Sequence, residues 1–159
     1  MTGLYQKFMQ LMELIPYAVL ALVARIAAAV PFWRSGQTKI DGGEFLGVKW
    51  NIFGVVDKKI FLFENIYGIP SALAPTMTHL ASLAEFFFPI MLVFGLLTRF
   101  GALGLLGMTI FIQFYVFPGD LLKPNGNWSL HLLWAAPLLV VLARGPGVFS
   151  LDHVLGKKA

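Results

Sequence analysis

The chain has 159 residues, of which 58% are hydrophobic and only 13% are charged, whereas roughly 25% are charged in a typical soluble domain. This composition indicates a membrane protein. Cysteine is absent, which excludes disulfides, iron–sulfur clusters, thiolate zinc sites and CxxC redox motifs. The net charge of +4 comes from dispersed basic residues, so the sequence predicts no nucleic-acid partner.

The first apolar segment, residues 14–33, reads LIPYAVLALVARIAAAVPFW and contains one charge, Arg25. Its length suits a membrane span, and Phe32 and Trp33 suit the headgroup boundary at its end. A cleaved signal peptide is the alternative. We reject it because Arg25 interrupts the apolar segment just before the possible cleavage site and further apolar segments follow.

A loop of roughly 40 residues, 34–76, follows and carries charges of both signs. It is the only sizeable part of the chain predicted to lie outside the lipid. Its segments VKWNIF and IFLFE, separated by GVVDKK, pair as a short β-hairpin or lie in the membrane interface. Periodicity does not decide between these two structures.

The segments 77–97, 100–118 and 128–143 predict three further spans. Only Thr98 and Arg99 separate the second span from the third, so these helices are expected to be antiparallel neighbours. The resulting fold class is an all-α membrane protein, a four-transmembrane-helix bundle in a single domain with the lipid bilayer as its partner.

The tail ARGPGVFSLDHVL ends the last span at a Gly-Pro-Gly sequence. Ser150 then offers an N-cap for a short helix, which we expect to rest on the membrane surface. An even number of spans puts both termini on one side. Because the long loop is rich in acidic residues and Arg99 lies in a tight turn on the terminal side, we expect both termini in the cytoplasm.

Two charged residues lie near the middle of predicted spans. Arg25 is about 2 Å past the centre of the first span toward the long loop, and Glu85 is about 3 Å from the centre of its own span toward the same loop. An unpaired charge at this depth costs on the order of 3 kcal/mol or more. We therefore predict that Arg25 pairs with Glu85 inside the bundle.

Other polar residues in the spans are displaced toward the same side. Gln113 lies about 6 Å, His131 about 7 Å and His79 about 12 Å from the midplane, all toward the loop. Together they predict a polar recess that opens on the loop side. The alternative is a purely structural Arg–Glu pair, with the other polar side chains acting as interhelical hydrogen-bonding groups.

Two further motifs have simpler explanations. His79 and His131 are an unconvincing haem or metal pair, since their depths differ and no carboxylate completes a ligand set, so we predict no metal site. The glycines of GALGLLG, including Gly104, resemble a nucleotide loop only in spacing, because no strand precedes them. Close packing of helices is the better interpretation.

The chain resembles the DoxX family of small bacterial membrane proteins over nearly its whole length. The resemblance is carried by FWRSGQTKI at the end of the first span, LASLAEFFFPIMLVFGLLTRFGA in the second, and ARGPGVFSLDHVL in the tail. The positions that match best include Arg25, the Gly36–Lys39 turn, Glu85 and Asp152.

The resemblance implies a bacterial inner-membrane protein, since one branch of the family is linked to thiosulfate:quinone oxidoreductase and others to membrane oxidoreductase or stress-response complexes. No catalytic residue set is implied. We expect a quinone or another small molecule in the recess, with no covalently bound cofactor, and an oxidoreductase or operon-encoded partner or a homo-oligomer. The alternative is a transporter subunit or an assembly or scaffold factor.

The depths of the polar residues and the family resemblance together give the candidate site residues. Arg25 would donate hydrogen bonds to the ligand, Glu85 would hold Arg25 or relay a proton, and Gln113 and His131 would orient the headgroup. Lys39 completes the ligand-binding set. Gly36, Gly104 and Asp152 are expected to be structural.

Overall fold

The computed structural model describes residues 2–120 and 123–156. Seven α-helices and one short hairpin make up this part of the chain. They are α1 (Thr2–Glu13), α2 (Tyr17–Gln37), β1 (Glu44–Phe45), β2 (Val48–Lys49), α3 (Asp57–Asn65), α4 (Ala74–Phe94), α5 (Thr98–Phe111), α6 (Trp128–Arg144) and α7 (Leu151–Val154). A π-helical segment, Ile112–Val116, continues α5.

Four of these helices form a bundle. Helix α2 packs against α4 and α6, and α5 packs against the same two helices, so the four close into a ring. Small residues allow the helices to approach closely, and larger apolar residues fill the centre. The core consists of Ala28, Ala29, Phe32, Leu92, Ala102, Leu105, Leu138 and Val141.

In the described part of the chain, three helices are long and apolar enough to cross a membrane: Tyr17–Gln37, Ala74–Phe94 and the combined segment Thr98–Val116. They correspond to the first three predicted spans. The fourth predicted span corresponds to α6, which has 17 residues. At about 1.5 Å per residue α6 is about 26 Å long, less than the roughly 30 Å of the hydrocarbon core, so its crossing of the membrane stays a prediction.

Helix α2 ends one turn later than the sequence predicted. It continues past Trp33 to Gln37, and its end is closed by the Thr38 hydroxyl, which donates to the Ser35 carbonyl at 2.8 Å. Hydropathy marks where the apolar residues stop, whereas a helix continues as long as its backbone bonds are satisfied. The extra turn places Ser35 and Gly36 on α2 and brings Lys39 next to its end.

The long loop contains secondary structure that differs from the predicted hairpin. Its strands β1 and β2 pair antiparallel through a turn at Leu46 and Gly47, both with positive φ. Of the two structures that the sequence left open, the hairpin of VKWNIF with IFLFE is excluded, because IFLFE lies in helix α3. Asp57 in the first turn of α3 favours a helix start through its negative charge, and α3 packs against α4.

The C-terminal tail folds back onto the end of the bundle where α2 begins. The Tyr17 hydroxyl donates to the Gly145 carbonyl at 2.7 Å. The predicted N-cap is confirmed, since the Ser150 hydroxyl accepts from the backbone N–H of His153 at 3.2 Å at the start of α7. The start of α2 and the C-terminal tail therefore lie at the same end of the bundle, opposite the long loop.

Candidate functional site

Arg25 does not pair with Glu85, and the predicted ion pair is wrong. Arg25 is fully buried, and its Nη1 donates to the carbonyls of Leu92 at 3.2 Å and Val93 at 3.4 Å, while Nη2 donates to the carbonyl of Phe149. Leu92 lies about two helical turns, or about 10 Å, beyond Glu85 along α4. The two side chains therefore point to opposite ends of the bundle.

The guanidinium of Arg25 occupies the place of a helix cap. The last carbonyls of a helix lack partners within it, and a cation there is favoured by the helix dipole. Helix α4 ends at Gly95 in the left-handed conformation, with φ 69°. Arg25 thus bonds the last turn of α4 and ties it to the C-terminal tail. Arg25 therefore does not line the polar recess that was predicted on the loop side.

Asp152 closes the start of α5 from the tail. Its carboxylate accepts hydrogen bonds from the backbone N–H of Leu97 at 2.9 Å and of Thr98 at 2.8 Å, and from the Thr98 hydroxyl at 2.7 Å. The first N–H groups of a helix lack internal partners, and an acid favours this end of the dipole. Asp152 therefore caps the N-terminus of α5, and Arg25 caps the C-terminus of α4.

Glu85 lies instead in a buried polar cluster at the loop end of the bundle. Its Oε2 accepts from Lys39 Nζ at 2.5 Å, and its Oε1 accepts from the Ser35 hydroxyl at 3.2 Å. Lys39 also donates to Ser35 Oγ at 2.9 Å. Glu85 is 4% exposed and Lys39 8% exposed, so the ion pair is shielded from water.

A glycine makes this cluster possible. A Cβ atom on Gly36 would lie 3.0 Å from the Cβ and 3.0 Å from the carbonyl oxygen of Glu85, closer than ordinary contacts permit. Without a side chain at residue 36, α2 can approach α4 at the level of Glu85. Ser35, on the same turn, is thereby brought within hydrogen-bonding distance of the carboxylate.

The backbone around Lys39 holds that residue in place. Its N–H donates to the Gly36 carbonyl at 2.9 Å, and its own carbonyl accepts from Val56 N–H at 3.0 Å. Ile40 forms an isolated β-bridge with Val55. The loop is therefore anchored immediately after α2, and Lys39 extends from a fixed backbone toward Glu85.

The Lys39–Glu85 pair borders a cavity of about 390 Å³ between α2, α3, α4 and α5. Its walls are mainly apolar, with the ion pair and Ser35 supplying the polar edge. Its lining residues are Ser35, Lys39, Phe63, Tyr67, Met77, Leu80, Ala81, Ala84, Glu85, Gly107, Met108, Phe111, Ile112 and Val116. A cavity of this size and polarity suits a small apolar molecule with a compact polar end.

Two loop residues respond to the charges of this cluster. Partial burial, followed by the negative charge of Glu85, raises the pKa of the Tyr67 phenol. Partial burial and the positive charge of Lys39 lower the pKa of Lys59, against the opposing effect of Glu85. The Tyr67 phenol therefore stays protonated to a higher pH than an ordinary tyrosine.

Gln113 and His131 contact each other but are absent from the cavity lining. The Gln113 amide nitrogen donates to the Phe117 carbonyl at 3.2 Å, so its oxygen faces His131 Nδ1 at 2.7 Å and Nδ1 is the donor. Gln113 belongs to the π-helical segment that continues α5. Ile112 and Val116 of the same segment do line the cavity.

His79 is separate from this pair and half-buried, with its Nδ1 2.8 Å from the Pro75 carbonyl of its own helix. Within residues 2–120 and 123–156, no three His, Asp or Glu side chains gather as a metal site. Gly104 lies against the Phe88 ring, which a Cβ at that position would overlap.

Among the cavity residues that the sequence did not predict are Ser35, Tyr67 and Phe63. Ser35 precedes Lys39 by four residues, and this spacing would have indicated a shared helix face had the first span been extended by one turn. Tyr67 lies in the loop between α3 and α4, with no periodicity to mark it. Its neighbour Phe63 was not recognised either, because α3 was not predicted as a helix.

Comparison with known proteins gives two relatives and one family. The sequence model of the DoxX family matches residues 20–118. An uncharacterized protein of Haemophilus influenzae is 31% identical over 149 residues, covering 92% of this chain and 89% of the relative. The inner membrane protein YqjF of Escherichia coli is 28% identical over 138 residues, covering 86% of this chain and 92% of the relative. No solved structure matches the chain significantly.

Proposed function

The chain belongs to the DoxX family, and on that premise we propose that its cavity binds a quinone or a similar small apolar molecule with a polar headgroup. The protein would do so for a membrane oxidoreductase or stress-response system. The observation that carries this proposal is the buried Lys39–Glu85 pair at the edge of an otherwise apolar cavity. The pair gives the apolar cavity one polar edge, which can bind the polar headgroup of an otherwise apolar ligand.

The hydrogen bonds of Lys39 leave one donor for a ligand. An ammonium group has three N–H donors, and those of Lys39 include one bond to Glu85 and one to Ser35. Among the described residues the third has no acceptor, and we propose that it bonds a quinone carbonyl or another acceptor on the ligand. Tyr67, whose phenol is neutral at neutral pH like that of any tyrosine, adds a hydrogen-bonding group to the cavity lining. Glu85 has the role of holding Lys39 in this orientation.

The other predicted site residues take indirect roles in this proposal. Arg25 has a structural role in this proposal and not a ligand-binding one, because it donates its hydrogen bonds to the end of α4 and to the tail. Gln113 and His131 become positioning residues, since their contact holds the π-helical segment whose Ile112 and Val116 line the cavity. Gly36, Gly104 and Asp152 keep the structural roles expected of them.

We also propose a location and topology. The relative YqjF is named an inner membrane protein, and we place this chain in the bacterial inner membrane with α6 as a fourth span and both termini in the cytoplasm. A short apolar helix can span when the bilayer thins around it. An oxidoreductase partner or a second copy of the chain would then complete the system in which the cavity works.

The test is direct analysis of bound quinone. Protein purified in a mild detergent is extracted with organic solvent, and quinones are identified by mass spectrometry. Binding of the short-chain ubiquinone-1 is then measured by titration of tryptophan fluorescence. We expect co-purified quinone and saturable binding. A protein that carries no quinone and binds no ubiquinone-1 overturns the proposal.

A cavity-filling variant shows where the quinone binds. A Cβ on Gly107 meets no atom within 4 Å, so Gly107→Leu adds bulk to the cavity wall without a clash in the backbone. We expect this variant to fold and to lose ubiquinone-1 binding. Leu103→Phe adds bulk on the exposed face of the same helix and is the matched control. Equal binding by both variants would place any quinone outside this cavity.

The alternative of an assembly or scaffold factor has one supporting observation. The Lys39–Glu85 pair and the Gly36 contact join α2 to α4, so the cluster can serve structure alone. A scaffold predicts that partner proteins co-purify with Gly107→Leu as well as with the native chain. The quinone proposal also predicts that Gly107→Leu folds and assembles. It differs in predicting that the native chain binds ubiquinone-1 and that this variant does not.

A further inference from the structure

Helix α1 (Thr2–Glu13) has one apolar and one polar face. At about 100° per residue, its large apolar side chains fall within an arc of about 160°, and its polar side chains fall in the remainder. The apolar face consists of Leu4, Tyr5, Phe8, Met9, Leu11 and Met12. The polar face consists of Gln6, Lys7, Gln10 and Glu13. A helix that spans lipid is apolar all round, so this division indicates a different position for α1.

Nothing in the described part of the chain covers the apolar face. Its side chains range from 41% exposed at Met9 and Met12 to 81% at Leu4. Leu14 and Ile15, which follow the helix, are also exposed. A contiguous apolar surface of this kind in a native protein marks a site of interaction with a partner or a membrane.

The covalent link to α2 limits what can cover this face. Only residues 14–16 separate α1 from α2, and the four Cα–Cα steps from Glu13 to Tyr17 span at most about 14 Å. Pro16 is extended, with φ −66° and ψ 138°, so the backbone does not run as one helix from α1 into α2. Since α2 is long and apolar enough to cross the membrane, α1 ends within about 14 Å of the start of this span.

The same end of the bundle carries a second exposed apolar surface. In the C-terminal tail, Phe149 is 57% exposed and Val154 is 76% exposed. The tail is fixed there by the bond from Tyr17 to Gly145 and by the Asp152 cap. Apolar side chains are therefore exposed at this level on two separate segments, which is expected where the protein meets a lipid surface.

The charges on α1 indicate how it would bind. Lys7 and Glu13 are its only charged residues, so the helix has no net charge. A surface helix that depends on anionic lipids carries an excess of Lys and Arg on its polar face. Helix α1 has no such excess, so its association would depend on apolar contact rather than on the charge of the lipid headgroups.

We propose that α1 is an in-plane membrane-surface helix. It lies in the lipid–water interface on the side where α2 begins, with Leu4, Phe8 and Leu11 in the acyl chains and Gln6 and Gln10 in water. This goes beyond quinone binding, because α1 contributes no residue to the cavity lining. The helix would hold the start of α2 at a fixed depth and would resist tilting of the first span.

The absence of cysteine allows a clean test by site-directed spin labelling. Phe8→Cys on the apolar face and Gln6→Cys on the polar face are labelled in the full chain, which is reconstituted in vesicles of phosphatidylethanolamine and phosphatidylglycerol. Collision of each nitroxide with oxygen, which dissolves in lipid, is compared with collision with a water-soluble nickel complex. Leu103→Cys, on the exposed face of α5, provides the lipid-facing reference.

We expect the logarithm of the oxygen-to-nickel ratio to be positive at residue 8 and negative at residue 6. The same signs are expected in vesicles of phosphatidylcholine alone, because binding does not depend on anionic lipid. Negative values at both positions overturn the proposal, since α1 would then lie in water. A residue 8 label that neither reagent reaches also overturns it, since the face would then be covered by protein.

Discussion

Lys39 Nζ lies 2.5 Å from Glu85 Oε2, and both side chains are buried. One charge comes from a residue just after α2 and the other from the middle of α4, so the bond joins the long loop to the bundle. The pair also forms the polar edge of the cavity. The stability of the protein and the binding of a ligand are therefore expected to depend on the same two residues.

We predict that Glu85→Gln lowers the free energy of unfolding by about 3 kcal/mol, because it leaves the Lys39 charge buried without a countercharge. Lys39→Met should have a similar cost by isolating Glu85. The double variant Lys39→Met with Glu85→Gln should recover most of the loss, since no buried charge remains. Thermal unfolding in detergent, followed by circular dichroism, measures all three. Additive losses in the double variant would contradict the pairing.

Glycine substitutions at two positions should have opposite effects. Gly36→Ala places a Cβ 3.0 Å from the backbone of Glu85, and we expect it to cost about 2 kcal/mol because α2 must move away from α4. Gly107→Ala meets no neighbour and should stabilise α5 by up to about 1 kcal/mol through helix propensity. The two melting temperatures, measured under one condition, give the comparison. A loss of stability in Gly107→Ala would show that other atoms fill the space beside Gly107 in solution.

The Asp152 cap should contribute measurably to the stability of α5. Asp152→Ala removes the acceptor for the N–H groups of Leu97 and Thr98, and we expect a loss of about 2 kcal/mol. His153→Ala changes the neighbouring exposed residue and is the control. Hydrogen exchange at Leu97 and Thr98 should be faster in Asp152→Ala alone. Unchanged exchange there would rule out the cap as a stabilising contact.

Arg25 should affect folding without affecting ligand binding. Arg25→Met leaves the carbonyls of Leu92, Val93 and Phe149 without their buried donor, and we expect a loss of about 3 kcal/mol. The exposed Arg34→Met is the control. In the Arg25→Met protein that remains folded, ubiquinone-1 should bind with native affinity, because Arg25 contacts the end of α4 rather than the cavity. A specific loss of affinity would return Arg25 to the binding site.

The raised pKa of Tyr67 should make the protein less stable in alkali. The folded state favours the protonated phenol, so its contribution to stability is fully present below the ordinary phenol pKa of 10.0 and is lost as the pH rises through the higher pKa of the folded state. The native chain should therefore lose more stability than Tyr67→Phe as the pH rises from about 9 to about 11. Glu85→Gln should lower the pKa of Tyr67, which absorbance of the phenolate reports. An identical pH profile for Tyr67→Phe would exclude this coupling.

The helices of the bundle were predictable because hydropathy acts locally. A run of apolar residues becomes a buried or lipid-facing helix whatever it packs against, so the segments around Arg25 and Glu85 were recognised as spans. The Ser150 cap was predictable for the same reason, since its hydrogen bond to residue 153 needs only the local backbone. Helix α3 was missed because its short apolar segment suits a strand or a helix equally well, and packing against α4 decided between them.

The sequence alone determined that a positive and a negative side chain lie within apolar helices. The tertiary structure decided their partners, because depth along a helix says nothing about rotation around its axis. A long side chain also carries its charge several ångströms from its Cα atom. Arg25 thus reaches the C-terminal end of α4. Glu85 pairs instead with Lys39, because the extra turn of α2 and the lack of a side chain at Gly36 bring the two residues close together. These relationships join residues distant in sequence, and only the packed helices bring them together.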